Sequence, residues 1–424
     1  MMGRSATRAV AWAADAQAQA DDARPPLKVY LMDLSAIVPY YSGHLCAELQ
    51  KLQALSLTLG SIPYGHDPGF FARIGVATDG ALLDFGSALP RTWNRLRRMV
   101  KGSENLLNLG LLALRFLLRK PDVLHVQFLP LLKQGIPVEL WFVQFVRSLS
   151  IPVVYTVHNL LPHDSGCRGR EIFRRVYQQA DVLICHDLPA RQRLLSEFGV
   201  SADRVVVVPH GPMFPDGNRP DGAAAREALG LPPQGCLVLF QGIIRPYKGV
   251  CFLLRAWKSA VAQGLRGTLL IVGTGEASML AEIEREVREL GIQATVRLEF
   301  RFVSVEELDR YHQAADVLVY PYQAVTTSGS LLTGAGYGKA IVATALPAFE
   351  EMLRHEHNAL LVPCGDEAAL ASALLRLESD PDLRGRLGRA WRSSAANLPT
   401  WTQIAEQTAR CYARLAGRPV PVKA

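Results

Sequence analysis

At 424 residues the chain is too long for a single domain of average size and suggests two or three. Its apolar fraction of 49% and charged fraction of 20% belong to a well-cored globular protein and exclude a disordered one. The formal net charge of +7 is concentrated in one segment and not spread over the chain, so no nucleic-acid partner is expected.

Residues 1–26 are rich in Ala, Asp and Gln. Their one apolar run, Ala9–Ala14, is short and followed by Asp15, so the segment reads as a mobile tail and not a signal peptide. Leu27–Asp33 reads as a buried strand, and Ser42 as the cap of a helix with Leu45, Leu49 and Leu52 on one face. Strands follow at Leu55–Leu59, Val123–Gln127, Val153–Val157, Val182–Cys185 and Val205–Val208, with helical patterns at Val138–Leu149, Arg170–Gln179 and Pro189–Phe198. This alternation predicts a parallel sheet covered on both faces, a first domain spanning 27–217. The Pro- and Gly-rich stretch Gly211–Gly235 reads as a linker, placed at 218–234. Alternation then restarts in a second domain, 235–398, before a last helix and tail at 399–424. Ala180-Asp-Val-Leu-Ile184 and Ala315-Asp-Val-Leu-Val319 hold equivalent strand positions, as two Rossmann-like domains would place them. Ligands of such folds sit beyond the carboxyl ends of the strands, and the cleft between the domains is the expected site.

Between Arg91 and Lys120 eight cations face one anion, Glu104, interleaved with leucines from Leu106 to Leu118. A basic, Leu-rich helix can lie on an anionic membrane face; it can equally be a core helix with a solvated basic rim. Arg115 and Arg119 keep the segment short of a membrane span. Seven scattered cysteines without a C-x-x-C pair argue for a reducing cytoplasm and against a disulfide framework or zinc site. The one Asp-x-Asp, Asp380-Pro-Asp382, reads as a turn whose aspartate caps a helix, so no metal site is expected.

The chemistry concentrates at three places. In Phe240-Gln-Gly-Ile-Ile-Arg-Pro-Tyr-Lys-Gly249 a strand breaks at Gly242 and holds Arg245 and Lys248 before a helix. In Tyr320-Pro-Tyr-Gln-Ala-Val-Thr-Thr-Ser-Gly-Ser330 a strand ends and Ser328-Gly329-Ser330 opens a helix, whose backbone N–H groups can receive an anion, although the same residues make an ordinary N-cap. Gly338-Lys-Ala-Ile-Val-Ala-Thr344 follows. Read together, the first two describe a diphosphate clamp.

In this order the three segments resemble the C-terminal domain of the GT-B glycosyltransferases of the family 4-like group, and the resemblance runs from about Leu27 to about Trp401. It implies an α/β fold of two Rossmann-like domains facing across a cleft, with the last helix crossing back to the first domain. It also implies transfer of a sugar from a UDP- or GDP-sugar to a saccharide or lipid-linked acceptor, in cell-surface polysaccharide or glycolipid synthesis. The nucleotide sugar would be substrate, with no cofactor or metal.

Carried onto this sequence, the resemblance makes Arg245, Lys248 and His158 the catalytic candidates. Gly43, Gly242, Gly273, Thr327, Ser328, Gly329, Ser330 and Thr333 become donor-binding candidates, and His44, His163, Asp164 and His210 acceptor-side ones. His158, His44 and His210 each carry a structural reading beside the functional one, as a bonded strand-end residue, a first-turn helix residue and a hinge. The pattern departs from the family where paired glutamates are usual: those positions fall on Val325 and Thr333, leaving hydroxyls to serve instead. Retention is implied, because the acceptor proton can pass to the leaving phosphate; an inverting enzyme would need a base, for which Asp33, His158 or Asp164 could serve. The runner-up readings are a GT-B-type nucleotide-sugar epimerase and a non-catalytic GT-B partner subunit. The expected location is cytoplasmic, peripheral on the inner face of the cell membrane through 91–120.

Overall fold

The computed structural model describes residues 25–89, 94–132, 136–161, 167–212, 222–325 and 328–418. The expected tail before residue 25 and much of the expected linker lie outside them. The chain divides into two compact units. The first holds the described residues up to Cys185, Leu194–Val208 and those from Thr402 onward; the second holds His186–Arg193 and Pro209–Trp401.

The first unit is built on a sheet of β1 (Leu27–Met32), β2 (Leu55–Gly60), β3 (Val123–Val126), β4 (Val153–Thr156), β5 (Val182–Cys185) and β6 (Val205–Val207). Their order is β2-β1-β3-β4-β5-β6, and every pairing is parallel. The strands β3, β4 and β5 are buried along their whole length, which is why they read as mainly apolar runs. Strand order reverses between β1 and β3, so a crevice opens beyond their carboxyl ends.

The second unit repeats the plan with β7 (Leu237–Gln241), β8 (Thr268–Gly273), β9 (Val296–Phe300), β10 (Val317–Tyr320), β11 (Ala340–Thr344) and β12 (Leu360–Val362). The order β12-β11-β10-β7-β8-β9 is the doubly wound arrangement, again all parallel, with its reversal between β7 and β10. The fully buried Trp257, Trp391, Phe240 and Phe349 anchor its core, and Trp257 satisfies its indole by donating to Thr295 Oγ1 at 3.1 Å.

Two local features differ from the sequence expectation, and a third agrees with it. The first helix starts at Pro39, with Val38 as its N-cap, so Ser42 lies inside the first turn. Its hydroxyl donates instead to Asp33 Oδ2 at 3.0 Å, a buried partner that outcompetes a capping role. The stretch read as a linker carries a helix, Gly222–Ala228. Arg226 docks it: Nε donates to Ala314 O at 3.0 Å and Nη2 to Asp316 Oδ2 at 2.6 Å, the carboxylate oxygen that also accepts from Leu237 N. Asp380 does cap the helix Pro381–Ala395, accepting from Leu383 N at 2.8 Å, as its Asp-Pro setting predicts.

The helix Asn94–Leu118 packs one face on the core and exposes leucines on the other. Asn105, Asn108, Leu109, Leu112 and Phe116 are buried along one face, whereas Leu107, Leu114 and Leu118 are 55%, 58% and 77% exposed along the other. Beside it, Trp141 on the helix Val138–Ser148 is 59% exposed. Exposed apolar side chains grouped along one helix face can mark an interaction surface. Among the described residues, no helix is long and apolar enough to cross a membrane.

Candidate active site

The two units carry chemically different groups beyond their strand ends. In the second, β7 ends at Gln241 and the chain turns through Gly242, whose φ of +126° suits glycine alone. A Cβ there would stand 2.8 Å from Lys248 Nζ and 3.2 Å from Ser330 Oγ. An ammonium from the loop after β7 and a hydroxyl from the segment after β10 therefore converge on a backbone bare of side chain, at the crevice where the strand order reverses.

Lys248 is brought there by a 3-10 turn, Pro246–Lys248, closed by Gly249 at φ +69°, where a Cβ would collide with Pro321 O at 2.0 Å. The lysine is buried, not on an exposed loop, and its Nζ stands 5.3 Å over the Tyr322 ring. Arg245 is different: its side chain is 41% exposed and pairs with Glu276 at 3.4 Å. Gly273 ends β8, and the Gly275 that follows it bridges to Ile244, which places the Gly-x-Gly loop against the Arg245 loop.

Ser328 is the N-cap of the helix Gly329–Ala335, its Oγ accepting from Leu331 N at 3.1 Å. Thr333 is buried and donates to Gly329 O at 2.7 Å, so its hydroxyl is spent within the helix. Ser330 alone of these three directs its hydroxyl toward Gly242. His210 lies beside Gly329, with Cε1 3.6 Å from where a Cβ would stand, and its Nδ1 bonds Gly211 O at 2.6 Å. Thr327, His163 and Asp164 lie outside the described residues.

The first unit offers a polar network instead of charge. His158, just past β4, donates from Nε2 to Gln127 Oε1 at 2.9 Å and meets the Tyr41 ring edge-on at 4.7 Å. Gln127 Nε2 in turn reaches His125 Nε2 at 3.1 Å; that nitrogen also bonds Thr156 Oγ1 at 2.7 Å, and His125 Nδ1 bonds Tyr412 Oη at 2.5 Å. Burial lowers the His125 pKa to about 3, so this imidazole is neutral.

Asp33, past β1, accepts from Ile37 N at 2.9 Å, Val38 N at 3.2 Å and Ser42 Oγ. Burial pushes its pKa up while those three donors pull it down, and it acts as the pin of the loop that starts the helix Pro39–Leu49. Gly43 lies within that helix, where a Cβ would meet Phe70 Cε1 at 2.7 Å; packing thus accounts for this glycine, and His44 next to it also edges Phe70.

The sequence reading passed over Gln127, His125 and Glu276. His125-Val-Gln127 is the signal that could have found two of them: polar residues two apart put a buried polar stripe on one face of an otherwise apolar strand. Among the described residues, no group of three or more His, Cys, Asp or Glu is placed to hold a metal ion.

Two doubly wound units, each with its polar groups past the strand ends at an order reversal, are the architecture of the GT-B glycosyltransferases. Residues 65–211 match the family model Glycosyltransferase Family 4 and residues 235–380 match Glycosyl transferases group 1, and the chain belongs to this family. A D-inositol 3-phosphate glycosyltransferase of Acidothermus cellulolyticus is 33% identical over 56% of this chain and 57% of its own length. The matches to further relatives of that name span 53% and 65% of their lengths, so the chain covers between half and two thirds of these relatives. Among solved structures, Anabaena HepE in complex with UDP-glucose superposes with a TM-score of 0.71 at 16% identity, covering 92% of this chain and 100% of that one. A putative UDP-N-acetylglucosamine 2-epimerase from Listeria monocytogenes gives 0.62 at 11% identity, over 94% and 100%. Identities this low speak to fold alone.

Proposed function

We propose that the protein transfers a sugar, with retention of configuration, from a nucleoside diphosphate sugar to a hydroxyl of a saccharide, cyclic polyol or lipid-linked acceptor. The convergence of Lys248 Nζ and Ser330 Oγ on Gly242 carries this reading, because it is where a diphosphate would be neutralised. As the bond from the anomeric carbon to the phosphate oxygen breaks, negative charge grows on the diphosphate; fixed cations at Lys248 and Arg245 lower that barrier without reorganising. The acceptor oxygen bonds the same carbon and its proton passes to the departing phosphate oxygen, so no protein base is required. His158 would accept from a hydroxyl of the transferred sugar. UDP-sugars are the first donors to test, since the similarly folded HepE is solved with UDP-glucose.

The apolar ridge on Asn94–Leu118 favours an acceptor met at an anionic membrane, with the protein peripheral on its inner face. Leucines exposed beside a surplus of cations fit a lipid surface better than an aqueous partner. The deciding experiment is a thermal-shift screen of UDP, GDP and their sugars in chelator, followed by NMR of the anomeric configuration of any product. A melting-temperature rise without divalent metal and a retained product are expected. Binding that requires magnesium or manganese removes the clamp; an inverted product removes the base-free step. Donor epimerised without acceptor would establish the epimerase, and binding without turnover on any acceptor the partner subunit.

A further inference from the structure

We propose that Tyr322 is a positioning residue: the face of its ring holds the Lys248 ammonium beside Gly242 without cancelling its charge. Lys248 is buried, and a buried lysine is ordinarily paired with a carboxylate. Here, among the described residues, nothing accepts a hydrogen bond from Nζ and no carboxylate pairs with it; what it faces instead is the Tyr322 ring, with Nζ 5.3 Å from the ring centre. A ring quadrupole attracts the cation but adds no negative charge, so all three N–H donors stay available to an anion. A carboxylate in the same place would satisfy the ammonium at rest and would have to be displaced before an anion could bind.

The ring is itself fixed. Tyr322 is buried and packs edge-on against Tyr247 at 6.2 Å and Tyr320 at 6.0 Å, with Phe349 tilted against it at 5.5 Å. Its carbonyl accepts from Thr344 Oγ1 at 2.5 Å, and Gln323 N donates to Tyr247 O at 2.7 Å, which ties the segment after β10 to the turn that carries Lys248. All of these residues lie in the second unit. The Tyr322 hydroxyl is buried and has no hydrogen-bond partner among the described residues, so the ring face, not Oη, is the part of this side chain that meets a charged group. Without the ring, a long and flexible lysine side chain would have to be ordered at the moment the anion arrives. That the anion is a diphosphate rests on the transferase reading; the hold on the ammonium does not.

The test takes the ligand-free full chain first and UDP binding second. In 1H–13C spectra with 13C-labelled lysine, the Lys248 ε-methylene is identified by its loss in Lys248→Met. It is expected to be shifted upfield by the ring and rigid by relaxation in wild type, and mobile in Tyr322→Leu. UDP titrated by NMR should bind Tyr322→Leu roughly 5- to 10-fold more weakly than wild type, and the conservative Tyr322→Phe to within about threefold of it. Phenylalanine at this position carrying one, two and three ring fluorines keeps the shape and drains the face of charge, so affinity should fall stepwise along the series. In a Lys248→Met background, Tyr322→Leu should cost nothing further. A mobile, unshifted ε-methylene in wild type overturns the proposal. So does a flat fluorine series, or an equal loss from Tyr322→Leu with and without Lys248, which would mark Tyr322 as packing alone. If Tyr322→Leu fails to fold, the fluorine series decides. Should the ε-methylene be shifted and rigid, and loosen along that series, while wild type binds no UDP, the hold on the ammonium stands and the transferase reading falls.

Discussion

The two units solve the same geometric problem with opposite chemistry. Beyond β7 and β10 the second unit holds a buried ammonium against a glycine backbone; beyond β3 and β4 the first holds two imidazoles and an amide in a chain of hydrogen bonds. A charge acts at a distance and tolerates small displacement, whereas a hydrogen-bonded ring must be aimed. The first unit accordingly spends four buried side chains on orientation and the second spends glycines on access. Under the proposed function, diphosphate neutralisation belongs to the second and recognition of sugar hydroxyls to the first.

The largest expected effect tests the charge. Lys248→Ala should lower kcat on the order of 10²–10³-fold with the fold intact by circular dichroism. Gly242→Ala should approach this loss, since its Cβ would occupy the position facing Nζ at 2.8 Å. Turnover equal to wild type in either variant would break the comparison at its charged end. The ridge comes next. Replacing Leu107, Leu114 and Leu118 together by Ser should weaken partition onto anionic liposomes on the order of 100-fold in a sedimentation assay, at about 1 kcal/mol per leucine half removed from water. Unaltered partition would return that helix to ordinary surface. Arg245→Ala should cost only about 10-fold in kcat, because this guanidinium is partly solvated and already paired with Glu276.

The last effect is on stability and concerns Glu139, whose carboxylate is buried and accepts from Asn105 Nδ2 at 3.1 Å and Leu132 N at 2.9 Å. Burial raises its pKa from 4.5 to about 7. The folded state then binds a proton that the unfolded state has lost, so this group's contribution to stability is greatest below pH 4.5 and declines as pH rises toward 7. Glu139→Gln should therefore gain on wild type by on the order of 1–3 kcal/mol across that window, read from chemical melts at each pH. A difference that does not vary with pH would mean the carboxyl titrates normally.

The strands were legible because β3, β4, β5 and β7 are buried on both faces and leave mainly apolar runs. The turns at Gly242 and Gly249 were legible because glycine is the residue that a φ of +126° or +69° demands. Three things were not. Lys248 and Arg245 look alike in sequence, and only the Gly249 turn separates a buried ammonium from a solvated guanidinium. The role of Ser42 depended on Asp33, nine residues away and buried. Leu109 and Leu107 have the same composition and opposite environments, which depend on what packs against the helix and not on the helix itself.

The first unit is not continuous in sequence. The chain leaves it after Val208 and returns only at Thr402, where Ile404, Ala405, Thr408, Ala409 and Tyr412 bury one stripe of the final helix and Thr402 Oγ1 donates to Glu48 at 2.9 Å. During synthesis the residues that begin the first sheet therefore emerge long before the helix that completes it, and all of the second unit but His186–Arg193 is translated in between. The second unit can reach its native core while the first still waits for its last helix, so the order of completion on the ribosome is the reverse of the order of emergence.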